Sequence, residues 1–339
     1  MRALFSAWYR RSVNTRSLAT AFGLLGLLTL SGRSARGDTL QVGPGKPYPM
    51  PCAAFGAAHD GDVIEIDAAG AYAGDVCALS KNGVTVRGVG GRAHIDANGK
   101  NAEGKGIWVV SGNDVTIENV ELSGAAVPDH NGAGIRAEGT NLTIRNAFFH
   151  DDEDGILGGK GELLIEASEF SHNGNCIDPS GCAHNMYISG DVTKFTLRYS
   201  YSHFATDGHL LKSRAQTNYI LYNRLTGEDG TDSYELSFPN AGTTVVVGNV
   251  VEQGQNTGNS VLLDYGSEGA SNPKSDLYIV NNTFVNDHAT GTFVSVAPGV
   301  STPAVVKNNV FAGPGTVVNQ ATAVQANNLS GADPLSVNA

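Results

Sequence analysis

The sequence predicts an all-β fold, a parallel β-helix solenoid with one short capping helix at its N-terminal end. Three observations carry this expectation. A phrase of two or three β-branched or apolar residues, a polar residue and Asn recurs from residue 113 onward, at intervals of 19 to 33 residues. The stretches between copies hold short β-rich runs and polar Gly/Asp/Asn loops, with no helical period. The 339 residues include 43 glycines and only 7% aromatics, which suits many turns around a core of Val, Ile, Leu and Ala.

The first element, residues 1–37, reads as a signal peptide. It holds six arginines and no acid, with Arg10, Arg11 and Arg16 ahead of a 13-residue apolar run, Leu18 to Leu30. That run is too short for a membrane span, which needs roughly 20 residues. Ala35-Arg36-Gly37 supplies small residues for cleavage before Asp38. The expected location is secreted or periplasmic, with no membrane contact after cleavage. Without the leader the net charge moves from -11 to -17. Such a body repels nucleic acid and anionic membrane surfaces.

Residues 38–80 are expected to form the N-terminal cap and first coil. Pro51 to His59 is the best short helix in the chain, and Asp62-Val-Ile-Glu-Ile follows as a strand. Residues 81–339 are expected to be the coils, in one domain with the cap. The recurring phrase appears as Val115-Thr-Ile-Glu-Asn119, Leu142-Thr-Ile-Arg-Asn146, Tyr219-Ile-Leu-Tyr-Asn223 and Val245-Val-Val-Gly-Asn249. It returns at Asn282 and Asn309 and, degraded, near Asn328, while Ala167 and Tyr199 replace Asn in two copies. A unit of this length means a solenoid. Its Asn residues predict a buried ladder, each amide bonding the backbone of the next coil, at roughly 1–3 kcal/mol per rung. The tail from Ala321 is expected to fray or to cap the far end.

Four cysteines, Cys52, Cys77, Cys176 and Cys182, fit an exported protein as disulfides. They allow three connectivities, and the local one, Cys52–Cys77 with Cys176–Cys182, is expected. No pair has CxxC spacing and no His cluster accompanies them, which argues against a metal site.

The runs IEIDAAGAYAGDV (residues 64–76) and NGVTVRGVG (82–90), with the phrases LTIRNAFF and YIVNNTFV, resemble the right-handed parallel β-helix, or pectin-lyase-like, superfamily. That resemblance implies a right-handed solenoid over about residues 38–330 and a polysaccharide partner. The scaffold serves pectate and alginate lyases, polygalacturonases and epimerases, and also adhesins and phage fibres.

Counting back from the repeat aligns Met186, Leu210 and Leu236 as inward residues. Their predecessors Asn185, His209 and Glu235 are then expected to stack outward, with Tyr187, Leu211 and Ser237 on the same outer face. Lys212 would fall inward, which an unpartnered ammonium resists, so the register is expected to break there. Asp207-Gly-His-Leu-Leu-Lys212 is similar to the Asp-Gly-Phe-x-x-Lys stretch of some pectate lyases. The resemblance implies β-elimination on a uronic-acid polymer, with Lys212 as base, Arg214 as carboxylate clamp, and Tyr187 or His209 as proton donor. Asn185, Tyr234, Glu235 and His184 complete the expected substrate-binding set. Lyases of this kind hold calcium with Asp and Glu, for which Asp151, Asp152, Asp154 and Glu228 are the candidates.

A hydrolase instead needs two carboxylates roughly 5–9.5 Å apart, for which Asp151, Asp152, Asp154 and Glu235 are available. The polygalacturonase motifs are absent, since Gly208-His209 is followed by Leu and no Asn-Thr-Asp precedes Asp151. A non-catalytic carbohydrate-binding or cell-surface protein is the remaining alternative. A monomer is expected.

Overall fold

The computed structural model describes residues 37–178 and 180–332. The expected signal peptide, residues 1–37, lies outside them except for Gly37. Each coil contributes up to three short strands, and each strand pairs in parallel with its equivalents on the coils before and after. The first face runs from Thr39–Val42 through Val63–Asp67 and Thr85–Val89 to Val305–Lys307 and Val324–Ala326. A second face is a ten-stranded sheet from Ala93–Asp96 to Leu329–Ala332. The third runs from Cys77–Leu79 through Gly106–Val110 to Thr316–Val318. Two 13-residue strands, Ala133–Arg145 and Asp154–Glu166, pass through both the first and third faces and join them.

Period-two patterning sets which side chains fill the interior. In Thr85–Val89 the residues Val86 and Gly88 point inward, and in Val115–Glu118 Val115 and Ile117 do. Equivalent inward residues stack from coil to coil, as in Phe149 on Phe170, with ring centroids 4.8 Å apart.

The helix at the N-terminal end is Pro51–Ala57, starting on proline, whose missing N–H costs nothing there. It buries Ala54 and Phe55, and the Phe55 ring packs 5.1 Å from Trp108. The Cys52–Cys77 disulfide ties this helix to the third face, and Cys176–Cys182 closes a hairpin of strands Asn175–Ile177 and Gly181–Ala183. The local connectivity is therefore the one formed.

The Asn ladder is real but shorter than the repeat suggested. Asn223, Asn249, Asn282, Asn309 and Asn328 each accept, through Oδ1, the backbone N–H of the preceding rung or its equivalent. Their amides also bond one another at 3.0–3.1 Å. Asn119 and Asn146 lie one position earlier. They share the left-handed turn conformation of Ala167, Tyr199 and Tyr222, with φ between 48° and 57°. Asn tolerates that conformation because its short polar side chain bonds locally, so one residue type served two adjacent positions. Ser168 and Ser200 hold the earlier rungs with hydroxyls. At the other end, the tail does not fray within the described residues. Asn328 is a full rung, and strands Val324–Ala326 and Leu329–Ala332 continue the winding.

Candidate active site

Strands Met186–Ile188, Lys212–Ser213, Leu236–Phe238 and Val261–Tyr265 are consecutive on the third face. Their register sets Tyr187, Lys212, Ser237 and Asp264 in one outward column, with steps of about 4.8 Å. Arg214 sits in the turn after Lys212 and reaches back along the column. Its Nε donates to the Tyr187 hydroxyl at 2.9 Å and its Nη1 to Asn240 Oδ1 at 2.7 Å.

Both cations converge on one carboxylate. Lys212 Nζ lies 3.1 Å from Glu268 Oε1, and Arg214 Nη2 lies 2.5 Å from Oε2. Burial pushes the Glu268 carboxyl up, but hydrogen bonds from Arg214 and Lys212 outweigh it and hold the group below its ordinary value. Glu268 itself is half exposed, at 45%, whereas the Lys212 and Arg214 side chains are 15% and 23% exposed. Both cations also lie near the Tyr187 ring, whose centroid is 5.5 Å from Lys212 Nζ and 5.7 Å from Arg214 Cζ. Beside Glu268 a cleft of about 760 Å³ opens between loops 266–276 and 297–302, lined by Ser267, Pro273, Lys274 and Pro298 among others.

A second column supports the first. Asp154 Oδ1 accepts the His184 N–H, His184 Nδ1 accepts the His209 N–H, and His209 Nδ1 accepts the Tyr234 N–H. The two imidazoles stack 4.4 Å apart, His184 meets Tyr187 edge-on at 5.5 Å, and Tyr234 covers His209 at 4.9 Å. Because each Nδ1 is an acceptor, each ring carries its proton on Nε2. Burial is the main reason both rings stay neutral. It pushes His184 well below its ordinary value, helped by His209, and His209 down to about 3, helped by Lys212.

The descriptive family model for a right-handed β-helix region matches residues 82–235. Among solved structures, a pectate lyase, Pel9A, superposes with a TM-score of 0.56 at 16% identity, covering 81% of this chain and 73% of that one. The chain folds as a right-handed parallel β-helix. The A-module of the Azotobacter vinelandii mannuronan C-5 epimerase AlgE4 gives 0.47 at 14% identity, covering 83% of this chain and 89% of that module. PfbA, a surface adhesin of Streptococcus pneumoniae, gives 0.48 at 16%, covering 83% and 86%. No curated protein matches this sequence.

On this β-helix the expected outward column of Asn185, His209 and Glu235 does not form. The observed column is His184, His209 and Tyr234, while Asn185 and Glu235 point into the core and are fully buried. Asn185 bonds Asn173, Ser202 and the His203 carbonyl there. Neither the Glu235 nor the Asp232 carboxyl oxygens have a hydrogen-bond partner, and burial, then the charge of Asp232, drives Glu235 well above its ordinary value. Neither residue can touch a polymer, and Glu235 cannot favour a protonated His209. The register slips by one at Leu211, which is the inward partner of Met186 and Leu236, so Lys212 turns outward. The counting failed because the turns linking the third face to the first differ in length.

The expected calcium set is also dispersed. Asp152 Oδ1 is held by the Ala125 N–H and Asp154 Oδ1 by that of His184, both deep in the fold. Asp151 is exposed and pairs with His150, and Glu228 is bound by Tyr201, Thr226 and Arg224. These residues do not fit a shared calcium ion. Asp152, Asp154 and Glu235, three of the four carboxyls expected for a hydrolase, are buried as well. Sequence reasoning missed Glu268 and Asn240. Glu268 comes 54 residues after Arg214, in an irregular loop where no repeat position marks it.

Proposed function

We propose that this is an exported polysaccharide lyase that cleaves a uronic-acid-containing polymer by β-elimination. The convergence of Lys212 and Arg214 on a single carboxylate carries this reading, in a chain whose body is otherwise strongly acidic. Glu268 stands where a substrate carboxylate would bind, and a uronate displacing it meets the same two cations. Their charge stabilises the negative charge that spreads onto the carboxylate when the neighbouring C–H proton leaves. The C–H electron pair then forms the new double bond as the glycosidic C–O bond breaks, and the leaving oxygen takes a proton. Tyr187 is the group proposed to move the proton, its oxygen taking the C–H proton as it passes its own hydroxyl proton to the leaving oxygen, since Arg214 Nε fixes that oxygen and both cations lie close to its ring. Lys212, committed to a carboxylate, acts as the second cation rather than as the base. The His184–His209 column serves as a rigid, neutral backing that orients Tyr187 and Tyr234. Two disulfides suit an oxidising compartment, and no described helix is long and apolar enough to cross a membrane.

The test is to incubate the purified chain with a panel of uronic-acid polymers and follow the ultraviolet absorbance of the unsaturated product. Arg214→Ala and Tyr187→Phe should each lower kcat/KM by about 10²-fold or more. Full activity in Arg214→Ala would remove this mechanism, and new reducing ends without unsaturation would favour hydrolysis. One observation favours a second reading. Glu268 already pairs with both cations, as it would in a groove that binds polysaccharide without cleaving it. Binding without any product would then lead.

A further inference from the structure

On the second face, away from the strands that carry Lys212, three side chains from successive coils face one another. Strands Ala93–Asp96, Val120–Ser123 and Phe148–His150 pair so that His94 lies beside Glu121, and Ser123 lies beside His150. His150 is therefore diagonal to Glu121, one coil on and two residues along. Its Nε2 lies 3.2 Å from Glu121 Oε1, and His94 Nε2 lies 3.7 Å from the same oxygen. All three donor atoms lie within 4.8 Å of one another. A tetrahedral ion with bonds of about 2.0–2.2 Å sets neighbouring donors roughly 3.3–3.6 Å apart, which the two measured separations bracket.

The surroundings orient this set. His150 Nδ1 lies 2.7 Å from Asp151 Oδ2, and the Phe148 ring stacks on the imidazole with centroids 4.4 Å apart. A proton on Nδ1, donated to Asp151, leaves the Nε2 lone pair aimed at a carboxylate oxygen. Two acceptors at that separation repel each other unless a cation lies between them, either a metal or a second proton on the ring. The His94, Glu121 and His150 side chains are 45%, 28% and 20% exposed, so an ion can enter and keep a solvent ligand.

We propose that His94, Glu121 and His150 bind one divalent transition metal of the zinc class, with Asp151 positioning His150. Two imidazoles and one carboxylate suit zinc better than calcium or magnesium, which take oxygen donors. The ion would clip three coils together near the capped end of the solenoid. This site is independent of the lyase reading, and its failure leaves that reading untouched.

The experiment uses the full chain without a polyhistidine tag. It is titrated with Zn²⁺ by calorimetry and with Co²⁺ by visible absorption. One equivalent should bind, and Co²⁺ should give d–d bands of a low-coordinate site. Both signals should vanish in His94→Ala and His150→Ala, and Glu121→Gln should weaken them. Asp151→Asn should reduce affinity roughly 10- to 100-fold, the scale for a group that orients a ligating His. Ser123→Ala should retain binding, although Ser123 Oγ lies 2.8 Å from His94 Nε2, because it removes only a contact the ion displaces. Far-UV circular dichroism checks the fold of each variant. Absence of uptake by the native chain would overturn the proposal and leave a proton-bridged His–Glu cluster. Uptake unchanged in a folded His94→Ala, His150→Ala double variant would also overturn it.

Discussion

Replacing Asn249, in the middle of the ladder, tests whether the rungs hold adjacent coils together. Asn249 is 1% exposed. Its Oδ1 accepts the Asn223 N–H at 2.8 Å and the Asn223 amide at 3.0 Å. Its Nδ2 donates to the Ile220 carbonyl at 2.8 Å and to Asn282 Oδ1 at 3.0 Å. Alanine leaves the buried Asn223 N–H without a partner, while the Asn223 amide keeps the Leu197 carbonyl and Asn282 Oδ1 keeps the Asn249 N–H. One orphaned donor costs about 1–3 kcal/mol. The emptied amide volume adds to this, so a loss of about 2–4 kcal/mol is expected for Asn249→Ala. Serine should lose less, because Ser200 fills an earlier rung by accepting the Ser168 N–H and donating to the Arg198 carbonyl. Aspartate should be worst, since it sets a carboxylate against the Ile220 carbonyl and Asn282 Oδ1. Urea unfolding followed by circular dichroism ranks the variants, and amide exchange at Asn223 reads the rung directly. An alanine variant within about 0.5 kcal/mol of the parent, the range of an ordinary surface substitution, would refute the reasoning. So would an aspartate variant more stable than alanine.

The Cys52–Cys77 bridge closes a separation of 25 residues, worth roughly 3.5 kcal/mol in the chain-entropy model. Paired Cys→Ser variants should unfold at lower denaturant, and thiol titration of the oxidised parent should find no free thiol. The pH dependence of stability is a further check. Burial, first among the causes, raises the carboxyls of Asp152, Asp154, Asp232, Glu235 and Glu252, with Asp154 and Glu252 at about 7 and Asp232 at about 6. Their contribution is full below the unfolded value of about 4 and is lost as pH rises through 6 to 7. His184 and His209, held low by burial, act oppositely, costing stability as pH falls below about 6.5. The carboxyls outnumber the imidazoles, so the melting temperature should rise from pH 7 to pH 5, and a steady fall over that window would contradict the assignment. Asp232→Asn should flatten the rise.

The architecture was legible in the sequence because a solenoid repeats its physics. Every coil needs β-branched residues at alternate positions and a turn that satisfies its own backbone, so one phrase recurs and can be counted. The cap helix followed from Pro51 and a local apolar run, and the disulfides from two close cysteine pairs in a chain expected to be exported. Lys212, Arg214 and Tyr187 were found as neighbours because they flank one strand position. The outward column beside them was misplaced because coil counting assumes equal turns. The connection from Leu211 to the first face is shorter than that from Met186, so counting back selects Leu210 in place of Leu211 and hides that Lys212 faces outward. Asn185 and Glu235 turn inward because two consecutive residues, Asn185–Met186 and Glu235–Leu236, are both buried there. Asn has one identity in the sequence but two positions in the coil, a left-handed turn at Asn119 and a ladder rung at Asn249, and only the pairing register separates them. Glu268 and the His94–Glu121–His150 cluster depend on contacts across coils, between residues with no local pattern in common. The sequence by itself determined the winding, since short-range periodicity and turn chemistry dictate it. Only the tertiary structure decided which charged groups meet, because that depends on loop lengths summed over several coils.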